Sequence, residues 1–96
     1  MNYYVLIYHL TDDYLERRPA YRAEHLQLAK DAEERDQLVL GGAYSDPADM
    51  ALLVWRVADT VVIQNFVKND PYVKNGLIAH WEIRPWTVVI GTAFEK

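Results

Sequence analysis

The first strand-like run, Tyr3-Tyr4-Val5-Leu6-Ile7-Tyr8-His9-Leu10, is apolar on both of its faces. Side chains alternate across an extended chain, so Tyr3, Val5 and Ile7 share one face while Tyr4, Leu6 and Tyr8 share the other. The run from Met50 to Val57 repeats the pattern, with Leu52 and Val54 on one face and Leu53 and Trp55 on the opposite one. A sheet with one face in water alternates apolar and polar residues; here both faces need cover. Helices can supply one cover, and something else must supply the second.

The rest of the chain says where the helices come from. Thr11-Asp12-Asp13 closes the first strand with polar turn chemistry. Pro19 suits a first helical turn, and from Tyr21 to Gln37 apolar residues recur with period 3.6 among i,i+4 charge neighbours, which predicts a helix. Leu38 to Tyr44 is extended again, Ser45-Asp46-Pro47-Ala48-Asp49 turns, and Met50 to Val57 completes a hairpin. Asp59 is placed to cap a second helix with Val62, Ile63, Phe66 and Val67 on one face, and Pro71 stops it by Asn69 or Asp70. After Asn75-Gly76, Ala79 to Ile90 returns to strand composition, with Pro85 marking an edge, a bulge or a bend.

The order is βαββαβ. Right-handed crossovers put both helices on one face of a four-stranded antiparallel sheet, an α+β fold of the ferredoxin-like class. A second copy of the sheet is the simplest cover for the remaining apolar face, which predicts a homodimer through that face.

Length and composition narrow the function classes. Ninety-six residues fit one domain, residues 1–96, with no room for a separate cofactor-binding domain. Cysteine is absent, which removes disulfides, thiolate metal sites and a cysteine nucleophile. A net charge of -4 opposes binding to nucleic acid or anionic membranes. RNA-binding domains of the same element order carry a basic, aromatic K/R-G-[FY] run on the sheet, and none occurs here. No apolar run is long enough to span a bilayer and the first residues lack signal-peptide character, so the expected location is the cytoplasm.

Few residues are left to carry chemistry. On a helical wheel Tyr21, His25, Leu28, Ala29 and Ala32 form one stripe, which turns His25 toward the sheet. An inward imidazole serves either as a general acid or base lining a cavity, or as a buried structural group satisfied by a carbonyl or a tyrosine hydroxyl. Arg22, and Arg18 one turn earlier, either form a cationic lip for an anionic or phenolic substrate or lie along the surface with Arg17. Asp70 before Pro71 is either an ordinary turn device or a carboxylate that orients His25. Gly41-Gly42 within a strand marks a bulge or opens a cleft beside the first helix. His9, His25 and His80 show no local ligand spacing, so no metal site is expected.

Taken in order, these segments resemble the YCII-related (YciI-like) family along nearly the whole chain. The resemblance rests on the tyrosine-rich first strand, Arg22-Ala23-Glu24-His25-Leu26, Gly41-Gly42-Ala43, Asp70-Pro71-Tyr72, Asn75-Gly76-Leu77 and His80-Trp81-Glu82-Ile83-Arg84-Pro85-Trp86. It implies a dimeric α+β barrel and, by motif, an active-site dyad of His25 and Asp70. One departure stands out: Gly42 is followed by Ala43-Tyr44-Ser45 where the family usually has Gly-Pro, which implies a different pocket rim.

The expected function is then a small-molecule enzyme without an organic cofactor. It would perform lyase- or isomerase-like proton transfer, His25 moving the proton and Asp70 fixing its tautomer. Candidate substrate-binding residues are Arg22, Tyr8, Gly42, Tyr72 and Trp86. The rival reading is a non-catalytic module that holds a small ligand in the same cleft.

Overall fold

A computed structural model describes residues 1–91. The sheet consists of β1 (Asn2–Leu10), β2 (Leu38–Ala43), β3 (Met50–Val57) and β4 (Ile78–Pro85), all antiparallel, in the order β2-β3-β1-β4. Four helices connect them: α1 (Tyr14–Arg17), α2 (Arg22–Glu34), α3 (Val61–Asn69) and α4 (Pro71–Lys74), with a 3-10 turn over Arg18–Ala20. This is the expected α+β ferredoxin-like arrangement, helices on one face of a four-stranded antiparallel sheet.

Cross-strand pairs assign each residue to a face. Leu6 lies opposite Leu53, Tyr8 opposite Ala51 and Leu38 opposite Trp55, and all six are buried beneath the helices. Ile63, Phe66 and Val67 of α3 pack down onto this layer, with Phe66 edge-on to the Trp55 ring at 5.1 Å. The opposite face carries Val5 against Val54 and Ile7 against Leu52, all only half-buried, and Leu40 beside Val54 at 69% exposure. The sheet is therefore apolar on both faces, as its sequence pattern requires, and only one face is covered by helices.

Boundaries differ from the sequence reading where local chemistry intervenes. Helix α2 stops at Glu34 rather than Gln37 because Asp36 takes a left-handed conformation (φ 59°). The Asp36 N–H bonds the Glu33 carbonyl and the Gln37 N–H bonds that of Ala32, the paired closure of a Schellman motif. Gly76 (φ 76°) ends α4 the same way, with Leu77 donating to the Tyr72 carbonyl. Strand β4 ends at Pro85 rather than Ile90: it pairs with β1, and the Trp86 N–H that donates to the Tyr3 carbonyl at 2.9 Å follows the last paired residue. The short helices α1 and α4 occupy segments to which the sequence pattern assigns no element.

Candidate active site

Helix α3 and helix α4 are separated by one residue, and that residue builds the site. Proline disfavours a helical conformation in the residue before it, so Asp70 is extended (φ −71°, ψ 119°) and its side chain turns back over the following turn. Its Oδ1 accepts the Tyr72 N–H at 3.0 Å, capping α4 with Pro71 at the first helical position. Oδ1 also meets His25 Nδ1 at 2.8 Å, and Oδ2 accepts the Tyr8 hydroxyl at 2.7 Å. Asp70 is wholly buried, and these three donors suit an acceptor-only carboxylate. The turn device and the orienting carboxylate are thus the same group.

Asp70 also dictates the state of the imidazole. A carboxylate can only accept, so Nδ1 carries the proton and Nε2 is left as the free nitrogen of the neutral ring. The ring plane is fixed by stacking on Tyr72, with centroids 3.9 Å apart and planes 11° apart, and by the edge of Phe66 at 6.4 Å. No side chain among the described residues bonds Nε2.

A cavity of about 460 Å³ opens beside this pair, between α2 and the β2 edge of the sheet. That volume falls within the usual range for small-molecule sites. His25, Tyr8, Arg22, Tyr72 and Gly42 all line it, so five of the residues singled out from sequence converge with Asp70 just beneath. In the glycine pair, Gly41 is the one opposite Leu53 on the helix side, where an added Cβ would stand 3.4 Å from the Leu53 Cγ; a Cβ on Gly42 would meet nothing within 4 Å. Trp86 does not join them. It lies past the end of β4 beside Tyr3, half-exposed, on the far side of β1 from the cavity.

Arginines divide in the same way. Arg17 bonds the carbonyls of Asn75 and Gly76 and sits 3.8 Å from Asp13, which ties α1 to the end of α4. Arg18 and Arg22 both face the cavity, Arg18 lying 5.5 Å from the centre of the Tyr14 ring. Tyr14 is a site residue that sequence reasoning missed; it is buried in the cavity wall and meets Tyr72 edge-on at 5.6 Å. An aromatic standing alone in the polar stretch Thr11-Asp12-Asp13-Tyr14 was the available signal.

Both phenols beside the dyad hold their protons tightly. Burial, reinforced by the charge and hydrogen bond of Asp70, pushes the Tyr8 hydroxyl far above the ordinary tyrosine range. Burial likewise raises Tyr72 to about 12, assisted by Tyr14 and partly offset by Arg22 and Arg18. Both are therefore neutral donors at physiological pH. Tyr8 uses its proton on Asp70, whereas the buried Tyr72 hydroxyl has no hydrogen-bond partner among the described residues.

The YCII-related domain family matches residues 1–87. The chain belongs to this family. Among solved structures it is similar to the 5-chloro-2-hydroxyhydroquinone dehydrochlorinase (TftG) of Burkholderia phenoliruptrix AC1100 in complex with 2,5-dihydroxybenzoquinone, at 19% identity and a TM-score of 0.75. The similarity covers 88% of this chain and 93% of that one, and at this identity it establishes a shared fold. No curated protein sequence matches the chain. Among the described residues no helix is long and apolar enough to cross a membrane, and no group of three or more His, Cys, Asp or Glu is placed to hold a metal ion.

Proposed function

We propose that this YCII-related chain is a small-molecule enzyme of lyase or isomerase type that uses a His25–Asp70 acid/base pair without an organic cofactor. The observation that carries the reading is the 2.8 Å contact from His25 Nδ1 to a fully buried carboxylate, with His25 on a cavity wall. In the proposed cycle Nε2 takes a proton from carbon or hydroxyl of the substrate and the electron pair stays behind as an enolate or phenolate. The imidazolium then returns the proton at another position, or the enolate pair forms a carbon–carbon double bond and expels a leaving group with the electrons of its own bond, the imidazolium then giving its proton to solvent. Asp70 is the positioning residue: it sets the tautomer and supports the imidazolium charge.

Support also comes from the dehydrochlorinase activity and quinone ligand in the name of the structurally similar protein. The test is solvent deuterium incorporation into a panel of enolisable and phenolic one-ring compounds, the chlorinated hydroquinone of that name included. Exchange should fall about 10²- to 10⁴-fold in His25→Gln. Saturable binding without exchange, or exchange that survives the substitution, would favour a ligand-binding or regulatory module instead.

The same proposal includes a cytoplasmic homodimer joined through the sheet face of half-buried Val5, Ile7, Leu52 and Val54 and exposed Leu40. An uncovered apolar face on both β1 and β3 supports it. A monomer in sedimentation velocity at low micromolar concentration would refute the dimer, and recovery in a membrane or secreted fraction would refute the location.

A further inference from the structure

The unsatisfied polar group and the surplus charge of the cavity occur at the same end. The Tyr72 hydroxyl is buried with no partner among the described residues, although native folds rarely leave such a group unpaired. Arg18 and Arg22 lie close enough for their charges to act on it. Neither arginine has a carboxylate partner among the described residues, in a protein where Arg17 is held by Asp13 and two carbonyls. The cavity also takes in Lys30 and Glu33 from α2, and Asp70 beneath it is already committed to His25. Cations thus outnumber uncommitted carboxylates at the cavity wall of a chain whose net charge is -4.

We propose that the substrate is a planar organic anion whose oxygen is held by the Tyr72 hydroxyl together with Arg22 and Arg18, next to the His25 ring. The inference rests on the acid/base reading for its role but not for its geometry. Planarity follows from the walls: His25 is stacked on Tyr72, and Tyr14 meets Tyr72 edge-on, so the anion end is bounded by flat rings. A phenol donates and a guanidinium donates, so the natural ligand group is one that only accepts, a carboxylate or phenolate oxygen. The hydroxyl is buried, and the long side chains of Arg18 and Arg22 line the same cavity. Without a carboxylate to hold them, they can change rotamer.

Two anions and their neutral counterparts test the proposal: benzoate against methyl benzoate, and 4-nitrophenolate in mildly alkaline buffer against 4-nitroanisole. Binding to the full chain is followed by amide chemical shifts. The expected result is saturable binding of at least one anion, about tenfold or more tighter than its neutral counterpart. Tyr72→Phe should weaken the anion about 10- to 100-fold, as for a hydrogen bond to a charged group, and leave the neutral compound unchanged. Arg22→Gln should weaken it as well. Binding of benzoate alone assigns a carboxylate to the site, binding of nitrophenolate alone assigns a phenolate, and binding of both assigns any planar oxyanion. The proposal is overturned if no anion binds at millimolar concentration, if the neutral compounds bind equally well, or if Tyr72→Phe retains wild-type affinity. Anion binding with this variant profile but no proton exchange in any compound would instead remove the catalytic reading and leave the anion site standing.

Discussion

Asp70 and Tyr72 are two residues apart in one tight turn, both buried, and they are opposites in hydrogen bonding. Every acceptor site that matters on Asp70 is filled, by Tyr8, His25 and the Tyr72 amide. The Tyr72 hydroxyl has no partner among the described residues. A satisfied buried group contributes to holding the fold, and an unsatisfied one weakens it until something binds. The turn therefore holds a stabilising anchor and, two residues on, the hydroxyl that the proposed anion would satisfy.

Substitutions can break that contrast. The largest effect should come from Asp70→Ala, which strands three donors at once; unfolding in urea should show a loss of about 3–5 kcal/mol, as when one partner of a buried charged pair is removed. A loss under 1 kcal/mol would mean that the carboxylate is not an anchor.

Alkaline unfolding should come next. The folded state holds the Tyr8 and Tyr72 protons more tightly than the unfolded chain, in which tyrosine ionises near 10. Stability from these groups is fully present below pH of about 10 and falls as pH rises, because the unfolded chain then binds fewer protons. Tyr72 alone should account for about 2 kcal/mol or less by the time the pH reaches its own raised value of about 12. Denaturant midpoints measured across this window should decline, and decline less in Tyr72→Phe.

Comparing two hydroxyl deletions sharpens the point. Tyr8→Phe removes the donor to Asp70 Oδ2 and should lower stability by about 1.5–3 kcal/mol. Tyr72→Phe removes a group with no partner among the described residues and should change stability by less than about 0.5 kcal/mol, or raise it. Equal losses in the two variants would show that Tyr72 is bonded after all.

Much of the architecture was legible in the residues themselves. Alternation in Tyr3–Leu10 and Met50–Val57 located β1 and β3 and their two apolar faces, because the period of a strand is set by backbone geometry alone. The 3.6-residue stripe through Tyr21, His25 and Leu28 placed the imidazole inward for the same reason. Asp70 was different: its spacing shows only a turn, and the link to His25, 45 positions away, was expected from motif resemblance. The pairing depends on Pro71 turning the carboxylate toward α2, a tertiary fact. Tyr14 and the orphan Tyr72 hydroxyl were hidden because they arise where α1, α2 and α4 meet. Trp86 lies outside the cavity because β4 runs along β1 on the side away from β3 and β2, and composition does not reveal strand order.

The central claim, that Asp70 holds His25 with Nδ1 protonated and Nε2 free, is tested most directly by the imidazole tautomer. A long-range ¹H–¹⁵N correlation spectrum of the wild-type protein, at a pH where His25 is neutral, reads both ring nitrogens. The account predicts a protonated Nδ1 and a bare Nε2 for His25. A bare Nδ1 with the proton on Nε2 would contradict it, since the ring would then have no hydrogen to give Asp70 and no base to offer the cavity.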